Sequence, residues 1–264
     1  MRNIRYQQEA LRDLTQYLRD LNETGDLNRA WRRFWERQDI PVGYGGVPPY
    51  KNVPEGVPYV CMKVPTGGGK TYMACCAVAR VFAEMDASRP RVVVWLVPSD
   101  AILGQTLRAL RDPNHEYRHQ LDLDFAGRVE VYTKDELLNG QNFSPDTVRE
   151  QLTVCVMSYA SLRINARSAD ARKVNQENGN LKRFADAIQD RSLLLEDTPD
   201  TALIQVLRQL TPLVIVDESH NAGSKLSMDM LERLNPRFIL ALTATPLKRA
   251  NILCYVDARA LKKE

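Results

Sequence analysis

Gly67, Gly68 and Gly69 stand in a row and are followed at once by Lys70 and Thr71, in a chain with only 13 glycines among 264 residues. Three adjacent glycines inside a helix or strand would weaken it, so bare backbone must be needed here. An apolar run, 59–64, leads into the glycines, and a helical pattern from Thr71 to Met85 leaves them. Strand, glycine-rich turn, lysine and hydroxyl, then helix is the order of a phosphate-binding loop. Backbone N–H groups can face a phosphate where no Cβ intervenes, and the following helix N-terminus adds partial positive charge. Lys70 can reach the β- and γ-phosphates, and Thr71 can ligate Mg²⁺ through its hydroxyl. The strict G-x-x-x-x-G-K-[ST] pattern asks for glycine at position 64, where Val64 stands. A glycine-rich surface turn is the bland alternative.

A second chemical element lies far downstream. The run 213–216 is apolar and ends in Asp217 and Glu218. Residues leaving the carboxyl ends of parallel strands line the ligand crevice of an open α/β sheet. An aspartate there can hold Mg²⁺ through its water shell, and the adjacent glutamate can orient and deprotonate an attacking water. Alone, Asp217-Glu218 would read as a solvated acidic loop; behind a phosphate loop it reads as the metal and water site.

The elements that must position these residues follow from apolar patterning. Leu11, Leu14, Tyr17, Leu18 and Leu21 recur at helical spacing over 7–21, and 29–37 forms a second helix. Residues 41–58 are a Pro/Gly-rich loop. Continuous Val/Ile/Leu runs at 91–97, 128–133, 152–157, 213–216 and 238–242 join 59–64 as strands buried on both faces. The polar stretch 165–182 reads as an exposed insertion. The fold expected is one α/β domain, a doubly wound, mostly parallel sheet with helices on both faces.

Composition sets the bounds. The chain is 44% hydrophobic and 26% charged, with a net charge of +3. That balance is ordinary for a globular domain and too weakly basic to demonstrate a polyanionic partner. The N-terminal stretch lacks the apolar core of a signal peptide, and no apolar run approaches the ~18 residues of a membrane span. Five cysteines without a C-x-x-C pair are expected to be reduced thiols in a cytoplasmic protein. No internal repeat is visible.

Taken together, Pro65-Thr66-Gly67-Gly68-Gly69-Lys70-Thr71, Asp217-Glu218-Ser219-His220 and Thr243-Ala244-Thr245-Pro246 resemble motifs I, II and III of superfamily 2 helicases, DEAD/DEAH-like, where the first position of motif I is relaxed and Val64 is unproblematic. The stretch 5–11 resembles the adenine-reading N-terminal motif, with Gln7 rather than Gln8 as its glutamine. Residues 97–106 resemble motif Ia, and 156–162 the next strand-end motif of that kind. The combination is most similar to the Res (motor) subunits of type III restriction enzymes, and it spans residues 5–246.

The resemblance implies a first RecA-like ATP-binding lobe occupying 1–264. Within it, 1–58 carry the N-terminal helices and loop, 59–246 carry motifs I to III, and 247–264 begin the interlobe connection. It implies ATP and Mg²⁺ as cofactors. Gln7, Thr66, Gly67, Gly68, Gly69, Lys70 and Thr71 would hold the nucleotide, and Thr71 and Asp217 the metal. Lys70, Asp217, Glu218 and His220 would form the catalytic set. His220, Thr243 and Thr245 would couple the γ-phosphate state to lobe motion, and Pro98, Ser99, Gln105, Ser158 and Ser161 would touch the nucleic-acid backbone. Implied partners are DNA, double-stranded or as a displaced strand, a second RecA-like lobe expected outside this sequence, and a methyltransferase or other subunit of a phage-defence system. No nuclease signature is recognisable. A nucleotide-gated binding or scaffold module without useful turnover is the rival reading, and Glu218 argues against it, because a pure binder needs no catalytic base.

Two features lie outside that scheme. The segment 115–119 matches H-E-x-x-H, a zinc-protease pattern, but its polar surroundings suggest an exposed loop rather than a metal site. Trp31, Phe34 and Trp35 share a helical face beside Arg32, Arg33 and Arg37; packing on the lobe is favoured over stacking on nucleic acid. Cys75-Cys76 reads as core packing of the phosphate-loop helix.

Overall fold

The structure, a computed structural model, describes residues 4–162, 173–217, 225–246 and 250–256. Its strands are β1 (Tyr59–Lys63), β2 (Arg91–Val97), β3 (Val129–Thr133), β4 (Leu152–Ser158), β5 (Leu213–Asp217), β6 (Phe238–Thr243) and β7 (Ile252–Tyr255). They form one seven-stranded sheet in the order β3-β4-β2-β5-β6-β1-β7, and every strand pair is parallel. The runs read as buried strands are therefore strands.

Alternate residues of each strand feed opposite faces, as pleating requires. Val60 and Met62, Val93 and Trp95, Ile215, and Leu240 and Leu242 enter one core. Cys61, Val92, Val94 and Leu96, Val214 and Val216, and Ile239 and Ala241 enter the other. Helices α1 (Arg5–Thr24), α2 (Leu27–Glu36) and α3 (Lys70–Ala83) cover the first face. The helix Leu203–Gln209 covers the second. The result is the doubly wound α/β fold that the alternating pattern demands, and all five cysteines are buried in it as thiols outside any disulfide. No helix among the described residues is long and apolar enough to cross a membrane.

Within 247–264, the segment expected to begin an interlobe connection, Ile252–Tyr255 forms an edge strand of the same sheet, paired to β1. Two sequence expectations change. The stretch 165–182 was expected to be exposed. Its described part forms short 3₁₀ turns that bury Val174 and Leu181, apolar residues too sparse to make a pattern. Second, the H-E-x-x-H segment is not a loop. Two helices follow β2, α4 (Asp100–Arg111) and α5 (Glu116–Asp124), and α5 begins inside the motif. Its amphipathic signal is weak because Leu121 is its one buried residue.

The aromatic helix is packed, as favoured. Trp31 and Phe34 are buried. Tyr17 of α1 meets both edge-on, at centroid distances of 6.1 Å. The Trp31 indole N–H donates to the Pro48 carbonyl at 3.0 Å, tying the 41–58 loop down. Arg33 and Arg37 are directed to the buried Asp20 carboxylate, at 3.2 and 2.6 Å. These rings and charges join α1 to α2.

Candidate nucleotide and nucleic-acid site

The loop between β1 and α3 is a tight turn in which the Gly68 N–H donates to the Pro65 carbonyl at 3.0 Å. Gly67 and Gly69 have φ of +80° and +70°, a region that side chains with a Cβ disfavour by about 1–2 kcal/mol per residue. A Cβ placed on Gly67 would meet nothing within 4 Å; that face of the turn is open backbone. Gly69 is the N-cap of α3 and contributes no side-chain cap. The first N–H groups of α3, beginning at Lys70 and Thr71, thus face outward with the positive end of the helix behind them. Thr66 and Gly67 are exposed, Gly68 is buried, and Lys70 and Thr71 are half-buried. This is an anion cradle built from backbone, and the residues present fit a nucleotide phosphate.

Helix α1 closes over the loop from behind. The Tyr6 hydroxyl donates to the Gly68 carbonyl at 3.0 Å, and Gln7 Nε2 reaches the same oxygen at 3.4 Å. Gln7 is only 2% exposed, and its Oε1 has no hydrogen-bond partner. A buried acceptor left unmatched costs about 1–3 kcal/mol, so a donor such as an exocyclic amine would be stabilised there. Tyr6 went unnoticed in the sequence, where nothing distinguishes it from any aromatic on a packed helix.

Asp217 ends β5 and pairs in register with Leu242 of β6, while Lys63 pairs with Thr243. Strand β6 thus separates the phosphate-loop strand from the carboxylate strand. Thr243 is fully buried. Its carbonyl accepts from the Val64 N–H at 3.0 Å, and its Oγ1 accepts from the N–H of the exposed Thr245 at 3.1 Å. The structure therefore connects Thr243 directly to the entrance of the phosphate loop. Val64, where the strict motif asks for glycine, is completely buried and serves as strand-end packing. Glu218 and His220 lie outside the described residues.

Two further tyrosines border this site. Tyr117 of α5 is half-buried, and its ring lies 6.5 Å from that of Tyr72, the residue after Thr71. Burial pushes that phenol's pKa up, the charges of Glu116 and Asp217 add to the rise, and the Thr71 hydroxyl opposes it. Tyr159, just past β4, is buried, and its pKa is raised by burial first and by Tyr59 and Asp217 after it. Both therefore sense the Asp217 charge. Neither was visible in the sequence, since one lies in the polar 115–119 segment and the other follows a strand end without any motif of its own.

The residues expected to touch nucleic acid gather at the same sheet edge. Val97 pairs with Ser158, so the turns after β2 and β4 are neighbours. Pro98 is half-buried, and Ser99 and Gln105 are exposed. Ser99 caps α4, accepting from the Ile102 N–H at 3.4 Å. Ser158 is buried, and the Ser161 hydroxyl donates to its carbonyl at 2.7 Å. The two turns are brought together, but Ser158 presents little side chain to a partner.

His115 and His119 do not form a helix-borne pair. His115 precedes α5 as its N-cap, its Nδ1 accepting from the Tyr117 N–H at 3.2 Å. His119 is exposed. Among the described residues, no group of three or more His, Cys, Asp or Glu side chains is placed to hold a metal ion.

Comparison with known proteins adds the family. The chain is similar in structure to the SWI2/SNF2 ATPase core of Sulfolobus solfataricus in complex with double-stranded DNA, at 16% identity over 72% of this chain and 28% of that one, with a TM-score of 0.35. It is also similar to the RNA helicase Prp28 of Chaetomium thermophilum bound to ADP, at 16% identity over 94% of this chain and 46% of that one, with a TM-score of 0.37. Likenesses this loose carry no argument, and the chain spans less than half of either structure. No curated protein matches the chain in sequence. The model of the family described as "Type III restriction enzyme, res subunit" matches residues 1–248. A phosphate loop, a strand-end aspartate and an intervening Thr243 strand on one parallel sheet accord with that match over residues 1–248, and the chain belongs to the family of type III restriction enzyme Res subunits.

Proposed function

We propose that this chain is the ATP-binding motor lobe of a nucleic-acid-dependent ATPase, coupling Mg²⁺-ATP hydrolysis to movement on DNA. The observation that carries the proposal is the backbone cradle of Gly67–Gly69, with Lys70 and Thr71 opening α3 behind it and Gln7 closing over it. Lys70 neutralises the β- and γ-phosphates. Thr71 and Asp217 hold the hydrated Mg²⁺, which supplies charge neutralisation at the phosphates when bound. Glu218 takes the proton of the attacking water, and His220, Thr243 and Thr245 relay the γ-phosphate state. The bond between Val64 N–H and the Thr243 carbonyl supports a relay between loop and coupling strand. Phosphate contacts from the turns after β2 and β4 would hold nucleic acid without reading its sequence. Family membership supports DNA as the track, and it supports a second RecA-like lobe and a methyltransferase or other defence subunit as partners.

Titration calorimetry with Mg-ATP tests the site. Lys70→Ala removes a charge-assisted contact, and affinity should fall roughly ten- to a hundred-fold. Equal affinity of the two proteins would remove Lys70 from the phosphate site.

A further inference from the structure

The Gly68 carbonyl is held from outside the phosphate loop. The Tyr6 hydroxyl donates to it at 3.0 Å. Tyr6 is 7% exposed and Gly68 is buried, so water competes little for this bond. Gln7 Nε2 reaches the same oxygen at 3.4 Å, a longer and weaker contact. The Gly68–Gly69 peptide is a plane whose C=O and N–H point in opposite directions. Fixing the oxygen on the α1 side therefore turns the Gly69 N–H away from α1, and no described residue accepts from that N–H.

Sterics alone do not fix this peptide. Both residues that flank it are glycines, and glycine takes positive and negative φ with similar ease; Gly69 stands at +70°. Turned over, the plane would aim a carbonyl oxygen where the N–H now points, and its partial negative charge would repel an anion. We propose that Tyr6 is a positioning residue for the phosphate site, its hydroxyl locking the Gly68–Gly69 peptide so that the Gly69 N–H stands ready to donate to a phosphate oxygen before nucleotide arrives. The inference rests on the reading of the loop as a nucleotide-phosphate site given above, and it names the side chain that sets the loop's backbone. It also divides α1 between two tasks. Tyr6 serves the phosphates, and Gln7, whose buried Oε1 is unmatched, is left for the base.

The test is titration calorimetry with pyrophosphate and with ADP, each in Mg²⁺. Tyr6→Phe keeps the buried ring and loses only the hydroxyl. Affinity for both ligands should fall by the same factor, about three- to tenfold. Gln7→Ala should split them, weakening ADP while pyrophosphate stays near the parent level. A helix α1 merely loosened by Tyr6→Phe would carry Gln7 with it and cost ADP more than pyrophosphate. A larger loss for ADP than for pyrophosphate in Tyr6→Phe would therefore overturn the positioning role, as would parent-like affinity for both; either result leaves the nucleotide site standing. A parent protein that binds neither ligand would overturn the site and the positioning role together.

Discussion

A Cβ on Gly69 would lie 2.6 Å from Gln7 Nε2, so the phosphate loop and the N-terminal helix are packed without room for a methyl group. With φ at +70°, alanine at this position is strained by its backbone as well as by its neighbour. Gly69→Ala should lower stability by about 1–2 kcal/mol and displace Gln7. Thermal melts with and without Mg-ADP check this: the ligand-induced rise of the parent protein should be largely lost. By contrast, Gly67→Ala faces open space and should suffer the backbone strain alone.

Binding and turnover should separate at Glu218. Glu218→Gln keeps the shape and loses the base. In a protein that also contains the second lobe, it should retain ATP and lose steady-state hydrolysis by ~10²–10⁴. The 264-residue lobe by itself should bind Mg-ATP yet turn over slowly, because arginine charge from the opposite side of the cleft contributes ~10³–10⁵ in related phosphoryl transfers. Brisk DNA-stimulated hydrolysis by the lobe alone would overturn the motor-lobe reading.

Nucleic-acid binding by the lobe should be weak and tolerant of sequence. The turns after β2 and β4 offer few contacts, and Ser161 is already engaged with Ser158. A titration against salt should give a shallow slope, since each phosphate contact contributes about one counterion. Gln105→Ala should weaken all sequences alike. High-affinity binding of one sequence, indifferent to salt, would contradict this.

Purified protein should carry no stoichiometric zinc. His115 Nδ1 already accepts the Tyr117 N–H, and the helix starts only after it. Elemental analysis giving one zinc per chain, lost in His119→Ala, would refute the capping role.

Glu136 should show its contribution through pH. Its carboxylate accepts the Thr133 N–H at 2.7 Å, while its own N–H donates to Thr133 Oγ1 at 3.2 Å, forming a capping box, and Arg111 pairs with it. Burial alone would raise its pKa; the bonds from Thr133 and Arg111 outweigh burial and hold it below the ordinary glutamate value. A depressed native pKa stabilises the fold above the unfolded-state value and is lost as pH falls through the native one. Glu136→Ala should therefore be destabilising by about 1 kcal/mol at neutral pH, with the gap between the two proteins closing in acid. Denaturant midpoints across that range provide the measurement.

The parts of this structure legible in the sequence are those where one residue type does one job. Gly67–Gly69 announce a backbone site because no other residue permits it, and the strands around Val93, Val154 and Ile215 announce themselves by unbroken branched side chains. Strand β7 escaped because Ile252–Tyr255 is four residues long and takes its place from pairing with β1, a long-range contact that no local pattern records. Helix α5 escaped because a half-solvated helix that buries Leu121 shows almost no periodicity. Gln7 was singled out by family resemblance, but its reach to the Gly68 carbonyl was not foreseen. Tyr117 was invisible because it lies in the polar 115–119 segment and meets Tyr72 only once α5 packs on α3.

The order β5-β6-β1 sets the gauge of the cleft. Neighbouring strands lie about 4.8 Å apart, so the ends of β1 and β5 stand roughly 10 Å from one another. In the proposed site that gap would hold a phosphate and a hydrated cation side by side. It is maintained by main-chain ladders, in which Met62 pairs with Leu242 and Leu242 with Asp217. Exchanging one apolar side chain for another of like size in either core leaves this width unchanged, whereas a one-residue slip of β6 would carry Leu242 off the line between Met62 and Asp217, and Thr243 away from Lys63. The dimension that matters to the chemistry is thus written in backbone, and side-chain drift elsewhere in the lobe can proceed without altering it.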